Sequence, residues 1–308
     1  FEVVKSLFED KENTYTVVSL CKIIGYTKQA YYKHENSISE DAMRHEIIIQ
    51  EIYSIREKMP DLSCDKDHRI LLKRLPSDLT IGRKATYDLM RIHGLIRHKR
   101  CYRTQTTLTV YRLEYHDLIK DLFIDHPNQV WVADITYIRL ESGDFIYLGL
   151  ITDLYSRKII GWNLSESLAQ EGAMSALKMA LAMLPAGVMP IHHSDRGCQY
   201  YSKIYTDLLK SVGMQISMYT DGDPRNNAVA ERINGTIKNE MLCDKIIYGL
   251  DDGFIKVCRA IHIYNDERPH LSLDYHTPEE AYHMSGNIRR RWNTNYKKKE
   301  VLLEITEK

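Results

Sequence analysis

Cysteine is sparse and scattered in this chain: Cys21, Cys64, Cys101, Cys198, Cys243 and Cys258, with no C-x-x-C pair. That spacing argues against a disulfide framework and against a structural zinc knuckle, and it suits a reduced, intracellular protein. No uncharged apolar run approaches the ~18 residues that a membrane span requires, and no signal peptide is visible. Excess charge is missing too. The 42 basic residues balance 42 acidic ones, so any polyanion partner must be met by local clusters rather than by the chain as a whole. Repeats and low-complexity tracts are absent, and the 44% hydrophobic content is that of an ordinary globular protein. At 308 residues there is room for two or three domains. The first residue is Phe rather than Met, which fits a fragment or the downstream part of a longer product.

What is there begins with helices. In SLCKIIGYTKQAYYKH, Ser19 and Thr27 are expected N-caps and Gly25 separates two helical pieces. That is the layout of a helix-turn-helix whose second piece starts at Thr27, with Lys28, Gln29 and Lys33 available to DNA; a generic helical hairpin has the same pattern. IIIQEIYSIREKM is amphipathic, and TIGRKATYDLMRIHGLIRHKRCYR follows with Thr80 as its expected cap. Arg83, Lys84, Arg91, Arg97, Lys99, Arg100 and Arg103 concentrate positive charge there, with almost no acid from Arg91 to Arg103, which favours phosphate contact over a merely solvated face.

From about residue 125 the pattern turns to strands. VWVADITYI, FIYLGLITDL and KIIGWNLSE are separated by short turn-like links and read as an antiparallel meander. A helix (168–184), a short strand ending at Asp195, a second helix, a fifth strand (214–218) and a helix from about Asn227 complete the unit. The fold class expected is α/β, a ribonuclease-H-like core with a mixed five-stranded sheet, preceded by all-α helix-turn-helix regions. The expected divisions are a helix-turn-helix-like region at 1–38, a second helical DNA-binding region at 39–105 and a linker at 106–124. The catalytic core follows at 125–284 and a basic tail at 285–308.

Asp134 interrupts the first strand, on the face of Val130, Val132, Thr136 and Ile138. A carboxylate there is costly unless something compensates it. In the expected strand order Asp195 comes beside it, and Glu231 stands on the following helix with 35 residues between it and Asp195. Three acids in this order suit a pair of Mg²⁺ ions, or equally Mn²⁺, bound by oxygen ligands for phosphoryl transfer. A hydrogen-bonded structural acid is the alternative for Asp134 taken alone. Asn234, Lys238 and Leu242 follow Glu231 at helical spacing, which places them on its face, so that Lys238 could hold a phosphate beside the acids and Asn234 is a further expected DNA contact. His192, His193 and Cys198 lie near Asp195 without zinc spacing, and Asp153 in ITDLYSR reads as a turn cap.

The stretches WVADITYI, ITDLYSRKIIGW, HHSDRGCQYYS, NNAVAERINGTIKNE and YNDERPHLSLDYHTPEEAY, from about 125 to 283, resemble insertion-sequence transposases of the IS-three group, the catalytic OrfB product with a retroviral-integrase-like core. IGRKATYDLMRIHGLIRHK is similar to that family's helix-turn-helix segment. The chain departs from the family at SCDKDHRI (63–70), where a Gly-Tyr-Arg-Arg-like stretch is usual, and it has no His-His-Cys-Cys zinc module before the core.

The resemblance implies that Asp134, Asp195 and Glu231 are the metal-binding catalytic triad and that Lys238 contacts the transposon end. In the loop before Glu231, which holds Asp221 and Asp223, it implies DNA contacts from Arg225 and Asn226. It further implies a homodimer or larger assembly on double-stranded DNA, an upstream OrfA-like frame as partner, and a bacterial, cytoplasmic, nucleoid-associated setting. Tyr264, Asn265, Arg268, Pro269 and His270 are expected to tie the C-terminal helix to the core, and RRRWNTNYKKK (289–299) suits backbone binding. The activity expected is cleavage at inverted-repeat 3′ ends followed by strand transfer. The rivals are a nuclease without joining activity and a decayed element acting as a DNA-binding regulator.

Overall fold

A computed structural model describes residues 2–9, 15–96, 114–219, 228–243 and 245–288. Arg97, Lys99, Arg100, Cys101, Arg103, Asp221, Asp223, Arg225, Asn226 and the basic stretch 289–299 lie outside the described residues. The chain divides into two compact units, one of residues 1–55 and 71–96 and the other of 56–70 and 97–308.

In the first unit, helices α1 (Glu2–Glu9) and α2 (Val17–Ile23) lead into the long α3 (Lys28–Lys58). Val4, Val17, Leu20, Cys21 and Tyr31 form one buried cluster. Thr16, not Ser19, caps α2: its Oγ1 accepts the Ser19 amide at 3.3 Å, so Ser19 sits in the first turn and supplies the donor. Gly25 takes φ +79, the left-handed turn that L side chains disfavour, and Thr27 Oγ1 caps α3 by accepting from the Ala30 amide at 3.1 Å. Ile48, Ile49, Ile52 and Ile55 form the buried stripe of α3. α4 (Cys64–Arg74), whose residues 64–70 belong to the second unit, and α5 (Arg83–Ile92) follow. Gly82, not Thr80, occupies the cap position of α5, because a 3₁₀ turn over Ser77–Leu79 ends at Thr80 and moves the helix start two residues on.

In the second unit, strands β1 (Val130–Arg139), β2 (Phe145–Asp153) and β3 (Ile159–Ser165) form the antiparallel meander; β4 (Ile191–Ser194) and β5 (Gln215–Met218) complete a sheet of order β3-β2-β1-β4-β5. β4 runs parallel to both β1 and β5. α6 (Gln170–Ala182) and α8 (Lys203–Ser211), with the short α7 (Cys198–Tyr201) between them in sequence, bury Trp131, Ala133 and Ile151 on one face. α9 (Ala228–Thr236) covers Val130 and Val132 on the other face. This mixed five-stranded sheet flanked by helices is the ribonuclease-H-like arrangement expected.

Two details hold the sheet in place. A Cβ at Gly161 would lie 2.3 Å from the Ala176 carbonyl oxygen, so β3 and α6 approach backbone to backbone. Asp153 is fully buried, accepting the Ser156 amide and hydroxyl on Oδ1 and the Asn128 amide on Oδ2. It therefore serves the turn after β2.

α10 (Leu250–Asp266) and α11 (Pro278–Tyr282) close the chain. Asn265 clamps Ile159 at the sheet edge, accepting its amide and donating to its carbonyl, and the Tyr264 hydroxyl donates to the Arg157 carbonyl. Arg268 donates two hydrogen bonds to Glu240, at 3.1 and 2.6 Å. The departing segment SCDKDHRI also lies in this unit. Its Asp67 pairs with Arg56 at 2.7 Å, Lys66 lies 3.7 Å from Glu240, and Arg69 covers the Tyr275 ring. Its charges are thus engaged with the protein itself.

Candidate active site

β1 and β2 pair along nearly the whole of β1, but β4 accompanies β1 only from Val130 to Ala133. Because Ala133 pairs with Ser194, the next residues, Asp134 and Asp195, stand side by side where β4 ends. The hydrophobic alternation of β1 holds Asp134 in position, and its carboxyl is bound on both oxygens. Oδ1 accepts the Ile135 amide at 2.9 Å, and Oδ2 accepts the Asn234 side-chain amide at 2.7 Å. Asp195 folds into a tight turn in which Oδ1 accepts the Gly197 amide at 3.0 Å. A Cβ at Gly197 would come within 2.9 Å of that oxygen, so a larger residue there would displace the Asp195 carboxyl. Glu231 stands exposed in the first turn of α9.

These groups act on one another. Burial, then the charge of Asp195, pushes the Asp134 carboxyl up to about 7; the two hydrogen bonds oppose the rise and the Glu231 charge adds to it. Burial raises Asp195, against the Gly197 amide, and also raises Glu231. Among the described residues, no basic side chain is among the groups that shift Asp134, Asp195 or Glu231. Oxygen donors that repel one another without a counter-cation fit a hard divalent ion. Among the described residues, no three carboxylate, imidazole or thiol groups are drawn close enough to cage an ion.

Lys238 belongs to a π-helical turn, Ile237–Met241, that continues α9. Glu231 and Asn234 lie within α9 and keep their helical spacing, whereas the π turn, which holds more residues than an α turn, shifts Lys238 and Leu242 out of that register. Glu231 is exposed while Asn234 and Leu242 are buried. The Lys238 ammonium lies 3.8 Å from the centre of the Tyr137 ring, and burial lowers its pKa.

In the first unit, Lys28 and Lys33 lie exposed on α3 and line an open groove with Gln29 and Tyr32. Arg83 and Lys84 are exposed in the first turn of α5, and Arg91 in its last turn reaches Asp88 at 3.7 Å.

Near the carboxylates stand His192 and His193, which the sequence already put close to Asp195, and Tyr219 and Arg196, which it did not single out. His192 and His193 are buried: His192 Nε2 bonds the Tyr205 hydroxyl and His193 Nδ1 bonds the Ser217 hydroxyl. Tyr219 is buried with its hydroxyl unpartnered, and so is Arg196 at Nε and Nη2. The signal that could have flagged Tyr219 is its place just after β5, in register with Asp195.

The integrase core domain family matches residues 124–224, and a second family of the same description matches 212–278. The chain is 30% identical to a transposase for insertion sequence element IS629 of Shigella sonnei, over 91% of this chain and 97% of that one. It is 38% identical to a putative transposase for insertion sequence element IS986/IS6110 of Mycobacterium tuberculosis, over 46% of this chain and 53% of that one. Among solved structures it is similar to the HTLV-2 integrase catalytic core domain in complex with magnesium, with a TM-score of 0.42 and 20% identity, covering 51% of this chain and 98% of that one.

Proposed function

This chain belongs to the insertion-sequence transposases of the IS-three group, built on an integrase core, and we propose that it cleaves the 3′ ends of its element at terminal inverted repeats and joins them to a second DNA strand. Asp134, Asp195 and Glu231 are the catalytic acids in this reading. The observation that carries it is the pairing of Asp134 and Asp195 at the end of β4, two carboxylates brought side by side, with the charge of Asp195 raising the Asp134 carboxyl.

The residues divide the work. Asp134, Asp195 and Glu231 would hold the metal. Two Mg²⁺ ions, when bound there, supply the charge that activates a water or 3′-hydroxyl and stabilises the leaving oxygen in an in-line displacement at phosphorus. The Asn234 amide and the Ile135 N–H favour the ionised form of Asp134 and fix its orientation, as positioning groups. Lys238, which rests on Tyr137, would contact a phosphate of the transposon end. Lys28 and Lys33 on α3 and Arg83, Lys84 and Arg91 on α5 supply backbone contacts to the inverted repeat, with Arg97, Lys99, Arg100, Arg225 and Asn226 completing the set. Two ends require two sites, so a dimer or larger assembly on duplex DNA is part of the proposal.

The test is metal-dependent joining on a labelled duplex bearing the terminal repeat that flanks the coding sequence, with wild type and Glu231→Gln. Joining by the wild type alone supports the reading. Cleavage without joining would replace it with a nuclease, and tight binding with neither reaction would leave a DNA-binding regulator.

A further inference from the structure

The carboxylate row has a third member. β4 pairs with β5 in parallel, Ser194 against Met218, so the residue after the last paired one of each strand falls in line: Asp134 after Ala133, Asp195 after Ser194, Tyr219 after Met218. In the row beneath, Val132, His193 and Ser217 pair in the same way. His193 is pinned to the Ser217 hydroxyl at 2.7 Å and meets the Tyr219 ring edge to face, centroids 4.3 Å apart at 83°. The Tyr219 ring is therefore placed from below, on the sheet face that carries both aspartates.

Tyr219 is 7% exposed, and its hydroxyl is buried with no hydrogen-bond partner among the described residues. A buried hydroxyl left unsatisfied is costly, and such groups in native proteins call for a reason. Acceptors are near, because Asp134, Asp195, Asp117 and Glu231 all act on the phenol electrostatically, yet none accepts its proton in a hydrogen bond. Burial first, and those charges next, raise its pKa, so the group stays a donor. A neutral hydroxyl whose proton has no acceptor suits an anionic oxygen.

We propose that the Tyr219 hydroxyl is a substrate-contacting donor, held for a non-bridging oxygen of the DNA phosphate addressed by Asp134 and Asp195. The proposal rests on the transposase reading and deepens it. No proton is transferred; the phenol gives a hydrogen bond that the unliganded protein cannot satisfy.

Tyr219→Phe removes only that hydroxyl. On the labelled end duplex, the full chain carrying it should join strands about 10- to 100-fold more slowly at saturating DNA. Its unfolding midpoint without DNA should equal or exceed that of the wild type, because an unsatisfied group has gone. One phosphorothioate isomer at the scissile phosphate should slow the wild type, and that penalty should shrink in the variant. An undiminished joining rate would overturn the proposal, and so would a lowered midpoint, which would give the hydroxyl a role in the fold. Joining that needs Glu231 but not the hydroxyl overturns this proposal alone. Wild-type joining indifferent to Glu231→Gln overturns the whole site.

Discussion

Replacing Asp134 by asparagine should stabilise the metal-free protein at pH 8 and change little at pH 4. In the folded chain the carboxyl titrates at about 7, whereas its ordinary value is 3.8. Between those limits the folded state keeps a proton that the unfolded chain has released, so stability falls as pH rises through that window. The full separation corresponds to about 4 kcal/mol at about 1.4 kcal/mol per pH unit. Asp134 is only half-buried by exposed area, so screening reduces the expectation to roughly 2 kcal/mol.

The amide carries no charge and can keep both hydrogen bonds. Its oxygen accepts from the Ile135 N–H, and a flip of Asn234 turns that residue's unpartnered Oδ1 towards the new donor. The assay is urea unfolding of both proteins from pH 4 to pH 8 in the presence of a chelator. Asp67 is also raised to about 7, mainly by burial, but it is present in both proteins and cancels in the difference. A variant less stable than wild type at pH 8, or a difference that does not vary with pH, would refute the crowding of these acids. Adding Mg²⁺ should narrow the gap by stabilising the wild type alone.

Other perturbations test the frame around the site. Gly161→Ala puts a methyl 2.3 Å from the Ala176 carbonyl oxygen and should cost about 3 kcal/mol in urea unfolding; a neutral result would show that α6 can move away from β3. Arg268→Met leaves Glu240 with only the more distant Lys66, at 3.7 Å, and should cost about 3 kcal/mol. Most of that loss should return when Glu240→Leu is added, and failure to recover would assign the loss to packing. Arg196→Met removes a buried guanidinium with two unpartnered nitrogens, so the DNA-free protein should gain about 1–2 kcal/mol; a drop in thermal midpoint would reveal an acceptor.

The core was legible where chemistry repeats locally. Alternation along VWVADITYI placed Asp134 on a strand, and the element order gave the sheet in which Asp195 follows a parallel neighbour. The turn role of Asp153 and the clamp by Asn265 were readable because each acts at the end of an element. Helix starts were less so. Ser19 and Thr80 are good capping residues, but Thr16 and Gly82 hold the cap positions, since a cap depends on where the helix axis enters and not on residue type alone. The π turn at Ile237–Met241 escaped for a similar reason, as nothing in its composition separates it from α-helix.

The sequence by itself determined which residues alternate and which acids recur at what spacing, because those properties belong to one strand or one helix at a time. Only the tertiary structure decided that Asn234 binds Asp134 across 100 residues of chain, that Lys238 rests on Tyr137, and that Tyr219 completes the row begun by Asp134 and Asp195. Those placements follow from the register between parallel strands and from the packing of α9 on the sheet. Register and packing are set by the summed burial of many distant side chains, and no local pattern records that sum.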